Sequence, residues 1–211
     1  MFFSFDGIDG AGKSTQMTRF VDWLSDAGHD VITCRDPGST EMGEAIRAIL
    51  LKATYRIDFR AEMLLYMASR AQLVQEVIRP ALESGRTVVS DRFILANVVY
   101  QGSAGTVDPH DIWRVGEIAT EQLLPDMTFV LDLSPEIAAE RVGDRQDRLE
   151  SRGLEYFTQV REGFLAQSMR YPEKHLIVDA TQTIEQMQTA IRQAASNCIQ
   201  QHATRLAKES E

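Results

Sequence analysis

The sequence predicts an α/β protein with a three-layer fold, in which helices cover both faces of a five-stranded parallel sheet. Three observations support this prediction. Strand-like segments alternate with segments of helical spacing along the chain, as in folds built from β–α–β units. The strand-like segments are continuous apolar runs, which is typical of strands buried on both faces. The first of them leads through a glycine-rich loop into a helix.

The individual elements follow from composition and spacing. Short apolar runs rich in aromatic or β-branched residues predict strands at residues 2–5, 30–34, 86–90, 127–133 and 175–179. Apolar residues at helical spacing predict helices at residues 16–27, 41–51, 59–83, 93–101, 109–124, 135–152, 154–170 and 184–202. A flexible turn is expected at residues 102–106.

Glycine and proline mark several of these boundaries. Gly28 ends the first helix and Gly85 ends the third. Pro80 lies inside the third helix and is expected to kink it. Pro109 and Pro135 stand at helix starts, where proline is preferred.

The glycine-rich loop, GIDGAGKST at residues 7–15, fits the pattern of a phosphate-binding loop. Its glycines allow backbone conformations that a Cβ would forbid, so that successive N–H groups can point at a phosphate. A chance glycine-rich turn is disfavoured because a strand precedes the loop and a helix follows it. We assign the whole loop to nucleoside triphosphate binding, through Gly7, Asp9, Gly10, Ala11, Gly12, Lys13, Ser14 and Thr15.

Two side chains of the loop carry chemistry. Lys13 supplies a mobile positive charge that can follow the β- and γ-phosphates. The Ser14 hydroxyl can ligate the magnesium ion that bridges those phosphates. A helix opens at Thr15, and its N-terminal dipole also favours negative charge.

Further charged residues stand at the carboxyl ends of the strands, where ligands bind to such sheets. Arg35 follows the second strand, with Arg47 in the next helix, and an arginine there can hold a phosphate, although a surface salt bridge is the commoner role. Asp91 and Arg92 follow the third strand. Asp91 can assist a magnesium ion on Ser14, or cap the next helix.

Two helices carry polar and aromatic residues on a single face. Tyr66 and Arg70 are four residues apart, so they could stack on a base and bind its edge. On these two residues alone, a buried tyrosine beside a snorkelling arginine is the favoured interpretation. Asn97, Tyr100 and Gln101 also share one face.

Four arginines recur at helical spacing late in the chain, at Arg141, Arg145, Arg148 and Arg152. Aspartates interleave with them, so a solvated charged face is one interpretation. The other is a lid, at about residues 141–153, that closes over bound substrates and excludes water. Phosphoryl transfer needs cations on the oxygens of the moving group, which such a lid would supply.

Composition limits the possible functions. The chain has 211 residues and a net charge of −9, so we expect one domain at residues 1–205 with a frayed tail at 206–211. The sequence shows no basic block, which argues against nucleic-acid partners. It also shows no signal peptide, no transmembrane stretch and no disulfide framework, so we expect a cytoplasmic location and no membrane partner.

The chain resembles the bacterial thymidylate kinases, which are P-loop nucleoside monophosphate kinases, along nearly its whole length. The matching segments are GIDGAGKST (7–15), RDPGSTEMGEAIR (35–47), EMLLYMASRAQL (62–73), SDRFILANVVYQG (90–102) and DRLE (147–150). Asp36, Ser39 and Ala96 depart from the residues usual in that family. The resemblance implies the P-loop NTPase fold and a homodimer.

The resemblance also implies residue roles on the acceptor side. Tyr66 stacks on thymine, Arg70 contacts the base edge, and Asn97 lies near the base. Tyr100 lies beneath the sugar and disfavours a 2′-hydroxyl, whereas Gln101 contacts the base or the sugar. The nucleotide's phosphate and 3′-hydroxyl are contacted by Arg92 and Asp9, with Arg35 and Arg47 completing the predicted dTMP site.

The implied activity is phosphoryl transfer from ATP to dTMP, with Mg²⁺ at Ser14 and Asp91. Since the glycine loop lacks an arginine between Gly7 and Lys13, the lid is expected to supply the catalytic one, Arg148 or Arg145, alongside Lys13 and Asp91. A kinase of another (deoxy)nucleoside monophosphate or of a deoxynucleoside is the alternative enzyme. A GTP-driven switch is disfavoured because no N-K-x-D segment is present.

Overall fold

The structure is a computed structural model that describes residues 1–142 and 153–209, without the side chains of residues 142 and 205–209. Within these residues, five strands form one sheet, namely β1 (Phe2–Gly7), β2 (Val31–Arg35), β3 (Thr87–Asp91), β4 (Met127–Asp132) and β5 (His175–Asp179). The strand order is β2-β3-β1-β4-β5, and every pair is parallel. The predicted five-stranded parallel sheet is therefore confirmed.

Helices connect these strands. They are α1 (Lys13–Asp26), α2 (Glu41–Lys52), α3 (Phe59–Leu73), α4 (Arg79–Glu83), α5 (Ile94–Asn97), α6 (Pro109–Thr120), α7 (Pro135–Val142), α8 (Leu154–Arg170) and α9 (Ile184–Glu209). The structure places α8 and β5 at the predicted bounds, but α9 runs past the expected end near residue 202. The fraying predicted for residues 206–211 stays a prediction.

One helix ends earlier than predicted. We expected the helix at 109–124, yet α6 ends at Thr120. Glu121 and Gln122 both take left-handed backbone conformations, with φ of 49° and 62°. A residue in that conformation cannot continue a right-handed helix, so four predicted helical residues belong to the connection instead.

Two π-helical turns interrupt the long helical segments. The first, at Val74–Ile78, lies just before Pro80 in the segment predicted to kink. Proline lacks an N–H and its ring crowds the preceding turn, and a wider turn at this point accommodates it. The second, at Val98–Ser103, extends α5 into residues that we expected to form a flexible turn.

The core has one layer on each face of the sheet. Phe3 and Phe5 of β1 pack with Phe20 of α1 and Phe129 of β4, at ring-centroid distances between 4.9 and 6.0 Å. Phe2 points to the other face and meets Phe93 edge-on at 5.0 Å. Because aromatic rings lie on both faces, the central strand is covered on both sides, as its unbroken apolar run predicts.

The sheet register gathers the polar strand ends around β1. Phe5 pairs with Asp91 of β3, and Gly7 pairs with Leu131 of β4. At Gly7, where φ is 129°, a Cβ would lie 2.5 Å from the Leu131 carbonyl oxygen, so only glycine fits. The glycine loop therefore leaves the sheet beside the carboxyl ends of β3 and β4.

Two further predictions concern membrane-spanning helices and the lid. No helix in the described ranges is long and apolar enough to cross a membrane. Residues 143–152 lie outside the described part of the chain, and with them Arg145, Arg148 and Arg152. The lid at 141–153 therefore stays a prediction beyond its first residues.

Candidate active site

A cavity of about 710 Å³ opens beyond the carboxyl ends of the sheet. Most residues that the sequence assigned to a site line it, namely Asp9, Gly10, Gly12, Lys13, Ser14, Thr15, Arg35, Arg47, Tyr66, Arg70, Asp91, Arg92, Asn97, Tyr100 and Gln101. Gly7 and Ala11, in the same loop, are buried. The fold thus brings the donor-side and acceptor-side predictions into one space.

Lys13 begins α1 and is only 7% exposed. Its Nζ donates to the carbonyl oxygens of Gly7 at 3.1 Å and Ile8 at 3.0 Å, and to Asp9 Oδ1 at 3.0 Å. Burial lowers the pKa of the Lys13 ammonium. The glycine loop therefore encloses a positive charge that has left water.

Arg92 follows β3 and reaches back to the same loop. Its Nη1 donates to the Gly7 carbonyl oxygen at 2.9 Å, and its Nη2 donates to Asp9 Oδ1 at 2.7 Å. Its φ of 67° is left-handed, a strained conformation for arginine that is common at binding sites. Arg92 is thereby turned from the sheet edge toward the loop.

Asp9 joins the two cations, since Lys13 and Arg92 both bind its Oδ1. Burial alone would raise the pKa of the Asp9 carboxyl, but Arg92 and Lys13 hold it well below its usual value. The carboxylate is therefore charged at neutral pH. It holds two cations, Lys13 and Arg92, side by side in the lining of the cavity.

Ser14 and Asp91 are placed where a magnesium ion could be held. Both line the cavity, and the Asp91 Oδ1 is buried without a hydrogen-bond partner among the described residues. A buried carboxylate oxygen is costly unless it is bonded or coordinated, and oxygen ligands are those that Mg²⁺ prefers. The residues present fit the ion that the phosphate loop implies.

Arg35 and Arg47 lie at the outer side of the cavity. Arg35 is half-exposed and forms an ion pair of 2.8 Å with Glu44 on α2, the commoner role that its position alone suggested. Arg47 Nη1 donates to the Pro37 carbonyl oxygen at 3.0 Å. Both still line the cavity, so the geometry leaves their phosphate-binding role a prediction.

Arg70 does not snorkel, contrary to the interpretation favoured for Tyr66 and Arg70 alone. Its side chain is 1% exposed and forms a buried ion pair with Asp36. Its Nη1 donates to Asn97 Oδ1 at 3.1 Å. Tyr66, also assigned to the core, is half-buried and lines the cavity. Partners brought from other elements offset part of the cost of burying the Arg70 charge.

Tyr100 is a buried residue in the lining of the cavity. The Arg92 guanidinium lies over its ring at 5.2 Å, and Phe164 of α8 packs against it edge-on at 6.0 Å. Tyr156 donates its hydroxyl to the Tyr100 carbonyl oxygen at 2.8 Å. Burial raises the pKa of the Tyr100 hydroxyl, which therefore stays protonated at neutral pH.

Comparison with known proteins identifies the family. A family model described as thymidylate kinase matches residues 5–191, which is most of the chain. The chain belongs to the thymidylate kinase family. It is 44% identical to the thymidylate kinase of Rhodopirellula baltica over 88% of this chain and 76% of that protein. It is 43% identical to that of Exiguobacterium sp. over 95% of this chain and 96% of the relative.

A solved structure agrees with this assignment. The crystal structure of thymidylate kinase from Ehrlichia chaffeensis superposes with a TM-score of 0.72 at 29% sequence identity. The match covers 84% of this chain and 91% of that chain. Both the predicted resemblance and the predicted fold are therefore confirmed.

The sequence analysis assigned no role to several residues at this thymidylate kinase site. Leu51 lines the cavity as ordinary apolar wall, and Pro37 lines it within the matching segment 35–47. Glu62 is fully buried and accepts a hydrogen bond of 2.7 Å from Gln101. Its helical spacing from Tyr66, four residues on, was the available signal.

Asp6, at the end of β1, was missed as well. It is fully buried, and neither carboxyl oxygen has a hydrogen-bond partner among the described residues. Burial raises the pKa of Asp6 from 3.8 to about 7, although Arg92 and Lys13 act against this. A carboxyl group that titrates near neutral pH thus lies next to the loop.

The raised pKa of Asp6 predicts a pH dependence of stability. Because the folded state holds the proton more tightly than the unfolded state, the stabilisation is complete below pH 3.8 and is lost as pH rises through about 7. Between pH 5 and pH 8 the free energy of unfolding of wild type should therefore fall by about 2–3 kcal/mol relative to that of Asp6→Asn. Thermal unfolding in EDTA at both pH values measures this, and a constant difference would contradict it.

Proposed function

We propose that this protein transfers a phosphoryl group from ATP, with Mg²⁺, to dTMP, forming dTDP and ADP. Phosphorylation of thymidylate is the activity that names its family. One observation carries the residue assignment: Lys13 of the phosphate loop and Arg92 of the sheet edge meet on a single oxygen of Asp9. Two phosphate-binding cations so close together suit a reaction between two phosphates.

On the donor side, we assign the ATP phosphates to the backbone of residues 7–15 and to Lys13. Ser14 and Asp91 would hold magnesium, which when bound neutralises charge on the donor phosphates. Lys13 is already buried, so its interaction with a phosphate would be little weakened by water. The side chain orients the donor and stabilises charge as the phosphoryl group leaves.

On the acceptor side, we assign the phosphate of dTMP to Arg92 and the base to Tyr66, Arg70, Asn97 and Gln101. The order of these groups along the cavity supports this assignment, since Arg92 bonds the phosphate loop and Arg70 lies on α3 beside Asn97. Tyr100 lies beneath Arg92, in the place expected of a sugar contact. Arg35 and Arg47 complete the predicted acceptor site at its outer side.

The lid arginines complete the proposed machinery. Arg145 and Arg148 lie outside the described residues, but Arg141 shows where the segment begins. Its Nη1 donates to the Gly10 carbonyl oxygen at 3.4 Å, and its Nη2 donates to that of Ala180 at 3.3 Å. The chain therefore enters the proposed lid directly beside the phosphate loop, which supports its access to the transferred group.

The alternative within kinases is an enzyme that phosphorylates a nucleoside. A nucleoside has no phosphate for Arg92 to bind, so the Arg92 guanidinium would stay paired with Asp9. We expect rapid turnover with dTMP and none with thymidine, measured as ADP release under identical conditions. Preferential turnover of thymidine would overturn the proposed acceptor.

Replacing Arg92 tests the acceptor side separately. Because Arg92 would hold the acceptor phosphate before and during reaction, Arg92→Ala should raise the KM for dTMP about tenfold or more. A smaller loss of kcat is expected because Arg92 also bonds the Gly7 carbonyl oxygen and Asp9. The KM for ATP serves as the internal control. An unchanged KM for dTMP in the folded variant would contradict the assignment.

We further propose a cytoplasmic homodimer that acts on small molecules and binds no nucleic acid. Two free cysteines, Cys34 and Cys198, fit a reducing compartment. Exposed apolar side chains on packed helices support the dimer, with Leu64 of α3 at 50% and Ile118 of α6 at 78% exposed. Sedimentation of wild type and Ile118→Glu tests it, since only the variant should dissociate.

A further inference from the structure

Arg70 and Asp36 form an ion pair that solvent hardly reaches. The Arg70 Nε donates to Asp36 Oδ2 at 2.5 Å, and the two side chains are 1% and 0% exposed. Both residues line the large cavity, where we assign Arg70 to the base of the acceptor. The wall of the proposed acceptor site therefore contains a guanidinium charge that water cannot balance.

The charge of Arg70 needs a partner inside the protein. A guanidinium group keeps its proton there, and a buried charge is costly unless it is paired. The other groups that accept hydrogen bonds from Arg70 are neutral, namely Met67 Sδ, Asn97 Oδ1 and the Phe93 carbonyl oxygen. Among the described residues, Asp36 is the carboxylate in ion-pair contact with it. Asp36 therefore supplies the negative charge that this site requires.

The backbone holds Asp36 in place without a ligand. The Asp36 N–H donates to the Asp91 carbonyl oxygen at 3.0 Å, at the end of β3. The Gly38 N–H donates to Ser69 Oγ at 3.3 Å. Because Ser69 precedes Arg70 in α3, the loop that carries Asp36 is attached both to the sheet and to the helix of its partner. The carboxylate is thus preorganised to meet the guanidinium.

The pair also affects the titration of Asp36. Burial raises the pKa of the Asp36 carboxyl, and the Arg70 charge is the main influence that opposes this rise. Arg47 of α2 acts in the same direction as Arg70, but more weakly. Each member of the pair therefore favours the charged form of the other.

We propose that Asp36 is a positioning residue for base binding, which acts through the charge of Arg70. With that charge balanced, the guanidinium stays in the cavity wall and can bond a neutral base. Without it, the guanidinium would turn toward water or another anion. Asp36 need not touch the base for this role. This inference rests on the proposed function of the cavity as the acceptor site.

The first test needs no nucleotide. Asp36→Ala removes the carboxylate and leaves space beside Arg70 that a formate ion can enter. We expect formate to raise the Tm of Asp36→Ala in a saturable manner, because it binds the folded state. Chloride at equal ionic strength should not do so, and the Tm of wild type should not respond to formate. Equal responses of both proteins, or none in the variant, would overturn the proposal.

The second test is kinetic. In Asp36→Ala, the KM for dTMP should rise about tenfold or more, because the base loses a correctly placed partner. The KM for ATP should stay near that of wild type, since we assign the donor to the glycine loop. Formate should recover part of the lost affinity for dTMP. An unchanged KM for dTMP, or equal increases in both KM values, would overturn the proposal.

Two further variants separate charge from shape. Asp36→Asn keeps the size and an acceptor oxygen but loses the charge, so its KM for dTMP should also rise. Asp36→Glu keeps the charge and should retain most of the wild-type affinity. Should Asp36→Ala fail to fold, a wild-type KM for dTMP in folded Asp36→Asn would overturn the proposal.

The control for a lost surface charge is Asp26→Ala, at an exposed aspartate that ends α1. It should leave both KM values unchanged and should not respond to formate. A wild type that does not phosphorylate dTMP would reject the proposed function instead. The formate test would still decide whether Asp36 balances the charge of Arg70.

Discussion

Lys13→Ala is expected to lower kcat about 10³-fold or more while the protein stays folded. The reason lies in where the charge is held. Lys13 Nζ bonds two carbonyl oxygens of the loop and Asp9, so it is aimed at the place where donor phosphates would lie. Alanine leaves the negative charge that develops on the transferred phosphoryl group without this cation.

The fold should survive because Lys13 contributes little to packing. In the variant, Asp9 keeps its 2.7 Å contact with Arg92, and the apolar layer around Phe20 is untouched. Steady-state kcat with saturating ATP and dTMP measures the effect, with Tm as the folding check. Lys52→Ala, at an exposed lysine ending α2, is the charge-matched control. A Lys13→Ala kcat near that of wild type would reject the loop assignment.

Arg148→Ala is expected to lower kcat ~10³-fold with little change in either KM. The transferred phosphoryl group spreads negative charge over its oxygens, and a cation that arrives on lid closure acts mainly in the transition state. The glycine loop supplies no arginine of its own between Gly7 and Lys13. Arg141, bonded to the Gly10 carbonyl oxygen, places the start of this segment at the loop.

Two comparisons sharpen this prediction. The first compares Arg148→Ala with Arg145→Ala, three residues earlier. The arginine that reaches the phosphoryl group is the one whose replacement lowers kcat by this amount. Arg114→Ala, at a largely exposed arginine of α6, controls for a general loss of positive charge. If Arg145→Ala and Arg148→Ala both retained full kcat, the four arginines from Arg141 to Arg152 would form the solvated charged face that the interleaved aspartates also suggested.

The sequence allowed the sheet and the location of the site to be predicted. Each apolar run is a strand, and because parallel strands end at one edge, the residues after β1, β2 and β3 were expected to converge. They do, around Asp9, Asp91 and Arg92. Short-range spacing also placed Asn97, Tyr100 and Gln101 together, although Tyr100 and Gln101 lie in a π-helical turn that begins just after Asn97.

What escaped prediction depends on distant contacts. Arg70 is expected at the surface because a guanidinium is costly to bury. The partners that offset this cost, namely Asp36, Asn97 and the Phe93 carbonyl oxygen, are 34, 27 and 23 positions away. The sequence places Asp6 beside a predicted strand and Glu62 in a predicted helix, and nothing in it distinguishes either residue from its neighbours. Their burial is set by tertiary packing, which local spacing does not encode. The left-handed residues Glu121 and Gln122 ended α6 without any glycine to signal it.

The most direct test of the central claim is acceptor selectivity. In a coupled assay of ADP release with ATP and Mg²⁺, wild type is offered dTMP, dUMP, dCMP, AMP and dGMP in parallel. The account predicts the highest kcat/KM for dTMP, with rapid multiple turnovers and little ADP released in the absence of an acceptor. Equal or faster turnover of a purine monophosphate, or ADP release that needs no acceptor, would contradict it.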